Sequence, residues 1–211
     1  MISESSLDAL LAPHRLAVLG GFAAAEGDLP EGTRTLVLVG PAEGFWPHLK
    51  AQPEWDGAPD PVDRWSARVL GALARDLGGI ALFPFGGPPY HPFYTWALRT
   101  GRCWDSPVRL LVHESQGLWV SFRGALALPQ ALDLPPAARP CDGCAAPCLT
   151  ACPVGALGAG GYDVPACHAW LDGGGAECLA GGCLVRRACP VSQGYARMPE
   201  QSAYHMRQFH R

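Results

Sequence analysis

The sequence predicts an α+β protein in two parts. A mixed sheet domain with packed helices is expected over roughly residues 1–135, then a small cysteine-rich module over 140–197 and a C-terminal tail over 198–211. Three observations carry that expectation. Apolar runs of strand length alternate with one strongly amphipathic helix through the first part. Eight of the nine cysteines lie between Cys141 and Cys189. In "LDLPPAARPC", Pro135, Pro136 and Pro140 stiffen a linker between the two parts.

Taken in order, "TRTLVLVG" (33–40) is a continuous apolar run and reads as a buried strand. "DPVDRWSARVLGALARDLGG" (60–79) is the best helix in the chain. Asp60 is placed to cap it, Pro61 suits its first position, and Asp63 favours the positive end of the helix dipole. Val62, Trp65, Val69, Leu73 and Leu77 share one face, and Gly78-Gly79 stops the helix. "IALFPF" (80–85), "VRLLVHE" (108–114) and "LWVSFRGALAL" (118–128) read as strands, the last two joined across "SQG" as a hairpin. "PFYTWALRTG" (92–101) reads as a short helix. With 26 Gly and 21 Pro, elements are short and turns frequent.

Composition narrows the function. The formal charge is −3, the basic residues are 15 Arg and the single Lys50, and neither sign is gathered into a block. Nothing here favours a nucleic-acid or membrane-surface partner. No apolar run approaches the ~18–20 residues needed to span a bilayer. The opening "MISESSLDALLAPHRLAVLGG" has no basic n-region of a signal peptide, so a cytoplasmic address is expected. In that compartment thiols stay reduced, and nine cysteines argue for metal or catalysis over disulfides.

The spacing is Cys141-x2-Cys144-x3-Cys148-x3-Cys152-Pro, followed by Cys167, Cys178, Cys183 and Cys189-Pro. Zinc takes paired cysteines separated by a longer loop, four ligands to an ion. A cubane cluster takes three thiolates from one tight loop and a fourth from elsewhere. The bacterial ferredoxin run C-x2-C-x2-C-x3-C-P does this, its fourth cysteine serving the other cluster. The present run differs by one residue inserted before the third cysteine. Eight cysteines suffice for two [4Fe-4S] clusters. By the same crossing logic, Cys141, Cys144, Cys148 and Cys189 hold one, and Cys152, Cys167, Cys178 and Cys183 the other. The looser spacing among Cys178, Cys183 and Cys189 leaves a non-cysteine ligand in place of Cys178 as an alternative, with a three-iron or absent second cluster as another.

"CLTACPVGAL", then "DVPACHAWL", two more cysteines and a closing "CP" resemble the dicluster ferredoxin module of epoxyqueuosine reductases and corrinoid reductive dehalogenases. The last spacings depart from that pattern. Upstream, "TLVLVGPAEGF", "DPVDRWSARVLGAL" and "LVHESQGLWVSFRGALALP" resemble the CblC-type cobalamin-processing family, whose scaffold is nitroreductase-like. Together these resemblances imply a nitroreductase-like sheet domain binding a corrinoid (cobalamin), followed by a bacterial-ferredoxin-like module. They imply that low-potential electrons from a ferredoxin, flavodoxin or reductase partner pass through the clusters to cobalt, reducing it or removing its upper ligand. The chain is far shorter than an epoxyqueuosine reductase and shows no counterpart of that family's catalytic aspartate. An action on tRNA is therefore the weakest expectation. A dicluster electron carrier with an N-terminal docking domain is the alternative from another functional class.

Outside the cysteines, "FPFGGPPYHPFYTW" (83–96) sets Tyr90 and His91 side by side in an aromatic, proline-stiffened loop. Tyr90 could give a proton to a departing group, and His91 could act as acid or metal ligand. The alternative is a loop that only packs over the sheet. Arg123, in "SFRG", falls where the CblC-type resemblance implies an arginine on the glutathione cosubstrate; the plain reading is a strand-face arginine paired at the surface. Cys103 reads as a small buried hydrophobe. Trp65, Trp96 and Trp119 read as core, and "AYHMRQFHR" (203–211) as a solvated tail, with a helix as the alternative.

Overall fold

The computed structural model describes residues 3–25 and 29–210 of the chain. It is an α+β structure whose strands all pair antiparallel. Two compact units emerge, and their limits differ from a single cut between 135 and 140. The first comprises the chain up to Arg102 together with Ser121–Ala137. The second comprises Cys103–Val120 together with the chain from Ala138 onward.

Along the chain, α1 (Glu4–Leu11), β1 (Leu16–Ala23), β2 (Thr35–Pro41), α2 (Phe45–Lys50), α3 (Pro61–Asp76), β3 (Ile80–Leu82) and α4 (Phe93–Arg99) come first. Next are β4 (Cys103–Asp105), β5 (Leu111–His113) and β6 (Gly124–Leu128). Then come β7 (Leu157–Gly158), β8 (Gly161–Tyr162), α5 (Val164–Gly173), α6 (Ala176–Gly181), α7 (Leu184–Ala188), α8 (Pro190–Gly194) and α9 (Pro199–Phe209).

The first unit is built on a four-stranded sheet in the order β1-β2-β6-β3. Every residue of β2 is buried, as a continuous apolar run requires. Strand β1, absent from the sequence expectations, pairs with β2 through a register shift between Val18 and Gly21. Gly20 in that shift has φ +108°, and a Cβ there would stand 2.8 Å from the Thr100 Cβ, so only glycine fits.

Helix α3 covers the sheet with Val62, Trp65, Ser66, Val69, Leu70 and Ala74, a stripe at helical spacing. Leu73 and Leu77 are half-buried at its margin. The helix can lie close because β6 starts with glycine: a Cβ on Gly124 would meet Leu70 Cδ1 at 2.7 Å. Asp60 departs from the expected cap. It is left-handed (φ 51°), and its carbonyl, rather than its carboxylate, accepts from the amides of Asp63 and Arg64. Helix α4 forms as expected and buries Phe93, Trp96 and Ala97.

The expected hairpin over 108–128 is reduced to its turn: His113 and Gly117 pair as a single antiparallel bridge, each amide donating to the other's carbonyl at 3.0 Å, and the strands do not continue it. Strand β5 pairs with β4, matching Cys103 with His113, while β6 pairs with β2 and β3. Residues 118–123 are outside any strand and span the change from one unit to the other. A run of apolar residues announces burial, and burial was available on both sides of Val120.

The second unit combines two short hairpins with five helices. Its apolar core joins Val108, Val112, Leu118, Leu157 and Val185 to Cys148 and Cys189. The expected solvated tail is instead helix α9, which packs on α6 and buries Gln201, Ser202 and Ala203. Arg211 lies outside the described residues. Among those residues no helix is long and apolar enough to cross a membrane.

Trp65 is fully buried beneath α3 and stands edge-on to Phe45, ring centroids 5.3 Å apart. Trp65→Ala should remove about 3–5 kcal/mol from the first unit's stability. Urea unfolding followed by circular dichroism checks it; a change under about 1 kcal/mol contradicts the packing described.

Candidate metal centre

All eight clustered cysteines belong to the second unit, and each is placed by a local device. Cys141 and Cys144 share a turn in which the Cys144 amide donates to the Cys141 carbonyl (3.2 Å). Cys148 is in a 3-10 turn, Pro147–Leu149, entered through left-handed Ala146 (φ 51°). Cys152 opens the next turn, its carbonyl accepting from Gly155 N–H at 3.2 Å. Cys167 is on α5, whose start is capped by the Asp163 carboxylate accepting from Ala166 N–H at 3.0 Å. Cys178 is on α6, while Cys183 and Cys189 are extended residues at the starts of α7 and α8. Pro190 then occupies the first turn of α8 and sets its direction.

Four of the thiols gather at one cavity. Cys141, Cys144, Cys148 and Cys189 line one cavity, together with Ser106, Pro107, Val112, Leu118, Pro140, Ala146, Pro147, Pro190 and Val191. Burial raises the Cys141 thiol above its ordinary value; Arg139 opposes the rise, and Cys189, Cys144 and Cys148 add to it. Burial likewise raises Cys148, helped by Cys189 and Cys144. In the other group, burial raises Cys178, a backbone bond from Leu184 opposes this, and Cys183, Cys167 and Cys152 add to the rise.

Among the described residues, no three His, Cys, Asp or Glu side chains are gathered as ligands of a single ion. A four-iron cluster takes one thiolate per iron and spreads its quartet around a cage. Eight thiols, four of them around an apolar cavity, suit that donor demand. A cluster bound in either quartet would supply one-electron chemistry; the chain supplies the thiolates, the dry surroundings and the hydrogen bonds to sulfur.

Two side chains that sequence reasoning missed lie among the cysteine-bearing segments. The Tyr162 hydroxyl donates to Cys167 Sγ at 3.4 Å. Burial, and then that bond, hold the phenol well above its ordinary pKa, so it remains the donor. Arg186, one turn beyond Cys183, donates to the Leu118 carbonyl. Burial lowers its pKa while Cys183 and Tyr162 act to raise it. The signal available in the sequence was position alone: a tyrosine five residues before one cysteine and an arginine three after another.

The three residues expected to be catalytic, Tyr90, His91 and Arg123, all lie in the first unit, with different surroundings. Tyr90 is 66% exposed on its loop. His91 stacks on Trp96 with centroids 5.4 Å apart. Arg123 donates its amide to the Val39 carbonyl (2.8 Å), and its charge acts on Asp63 of α3, whose carboxyl burial raises. Phe93 connects the two regions, packing on both Trp96 and Phe122.

Comparison with family models, curated proteins and solved structures finds no match to this chain.

The ninth cysteine behaves as expected of a packing residue. Cys103 is fully buried in β4, and burial, with Glu114 adding, pushes its thiol up to about 12. At pH 8 the native protein should leave Cys103 unalkylated by iodoacetamide, with labelling appearing only in urea. Peptide mass spectrometry checks this; rapid native labelling of Cys103 contradicts its placement.

Proposed function

We propose that this chain is an iron–sulfur electron-transfer protein. Cys141, Cys144, Cys148 and Cys189 hold one [4Fe-4S] cluster, and Cys152, Cys167, Cys178 and Cys183 hold a second. The observation that carries this reading is that eight thiols lie in one small unit, four of them, Cys141, Cys144, Cys148 and Cys189, around a single cavity. The arrangement parallels bacterial ferredoxins in sharing a short cysteine run between two clusters. A low-potential one-electron donor, such as a ferredoxin, flavodoxin or reductase, supplies the electrons.

The acceptor in this proposal is a corrinoid bound by the first unit, which we read as nitroreductase-like on the strength of its CblC-type resemblance. The bound cofactor would supply the cobalt chemistry. Exposed Tyr90, Tyr94 and Leu98 offer it an apolar, partly aromatic surface on and beside the 83–96 loop. A second reading has a specific observation in its favour. Tyr90, His91 and Arg123 have different surroundings instead of converging on one described cavity, which suits an electron carrier whose first unit serves only for docking.

Anaerobic reconstitution should give about eight irons and eight sulfides per chain; bound zinc with negligible iron would contradict the cluster assignment. Titration of the loaded protein with cobalamin should produce the base-off change in its visible spectrum. A cobalamin spectrum unchanged at saturating protein selects the electron carrier instead.

A further inference from the structure

We propose that the second unit carries a binding site for a small oxyanion, a phosphate ester or a dicarboxylate, in the cleft where α6, α7, α8 and the start of α9 meet. The inference stands on the polar groups of that cleft and does not rest on the cluster reading.

The cleft measures about 580 Å3, within the ordinary range of small-molecule sites. Every residue lining it belongs to the second unit. Donors dominate its side chains. Arg187 and Arg197 bring guanidinium groups, which donate and cannot accept. No Asp or Glu is among the lining residues. The cleft of the first unit beside Arg15 and His48 differs in this respect, because the Glu43 carboxylate lines it and would repel the same ligand.

Two buried hydroxyls add to the donors. Ser192 and Ser202 are each 2% exposed, and both line the cleft. The Ser192 oxygen accepts from the Leu118 amide (2.8 Å), and the Ser202 oxygen accepts from Arg197 Nε (3.2 Å). A hydroxyl that accepts still has its own proton to give. Among the described residues neither proton meets an acceptor, and an oxygen of a bound ligand would supply one.

The two arginines are held differently. The bond to Ser202 fixes Arg197, and its guanidinium lies over the Trp119 ring, 5.1 Å from the centroid. A cation so placed loses little freedom when a ligand arrives. Arg187 is more exposed and pairs with Glu177 at 2.7 Å, where the two side chains are 43% and 65% exposed. An exposed pair of that kind is weak, so a ligand oxygen can take Arg187 from Glu177. Two guanidinium groups, each able to bond two oxygens at once, suit a ligand with several anionic oxygens.

The test is isothermal titration calorimetry of the full reconstituted chain at low salt, with glycerol 3-phosphate and with succinate as separate probes. At least one should bind saturably, and added salt should weaken it. Arg197→Gln should weaken that binding roughly tenfold or more, and Arg197→Lys should lose less. Glu177→Gln should tighten it by releasing Arg187, an effect that a purely structural role for the pair would not give. Arg75→Gln, on α3 of the first unit, should change nothing. Binding of glycerol 3-phosphate alone identifies a phosphate ester as the ligand, and binding of succinate alone identifies a carboxylate; either upholds the site. If Arg197→Gln fails to fold by circular dichroism, Arg187→Gln decides, with weaker binding expected. No saturable heat from either probe at ~10 mM overturns the inference, as does binding that the arginine substitutions leave intact.

Discussion

In the cluster reading proposed above, the second unit has to hold eight thiols in two quartets while one short stretch of chain serves both. Cys148 and Cys152 are only four residues apart, yet belong to different quartets. The 3-10 turn at Pro147–Leu149 faces Cys148 into the first cavity, and the turn that follows carries Cys152 away. Cys189 returns from the far end of the unit to complete the first four. Local devices elsewhere serve the same demand: the Asp163 cap on α5 and the extended residues at Cys183 and Cys189.

That demand also sets the unit's energetics. Its core cluster contains Cys148 and Cys189 among five aliphatic residues, and Cys141, Cys152 and Cys183 pack against it. Each buried aliphatic side chain is worth roughly 1.5–3 kcal/mol. A core in which thiols take the central places is small by that measure, so cluster binding and folding are expected to be coupled. The first unit has no such dependence. Its sheet and α3 close over Trp65, Val69 and Leu70 with aliphatic partners from β2 and β6. A unit proposed as a redox module and a scaffold with its own core can therefore share one chain.

The parts legible in the sequence were those where a single physical cause acted locally. Strand β2 was announced by its unbroken apolar run, and α3 by its stripe from Val62 to Val69. The parts not legible were those settled by distant competition. Leu118 and Trp119 read as the start of a strand, but Leu118 N–H bonds to the Ser192 hydroxyl (2.8 Å) and Trp119 lies under Arg197, 5.1 Å from its ring. Strand β1 was hidden by Gly20 and Gly21, which weaken its pattern yet are required where Thr100 and Leu36 come close. Helix α9 looked polar because its buried positions, Gln201 and Ser202, are not apolar. Tyr162 and Arg186 carried no motif; each is placed by its bond, to the Cys167 sulfur and to the Leu118 carbonyl.

The central claim is the partition of the thiols, and anomalous scattering at the iron edge from crystals of the reconstituted protein tests it most directly. The account predicts two separate iron centres. One should be enclosed by the sulfurs of Cys141, Cys144, Cys148 and Cys189, and the other by those of Cys152, Cys167, Cys178 and Cys183. Scattering at the zinc edge instead, or iron bridging the two quartets in a different grouping, would contradict it.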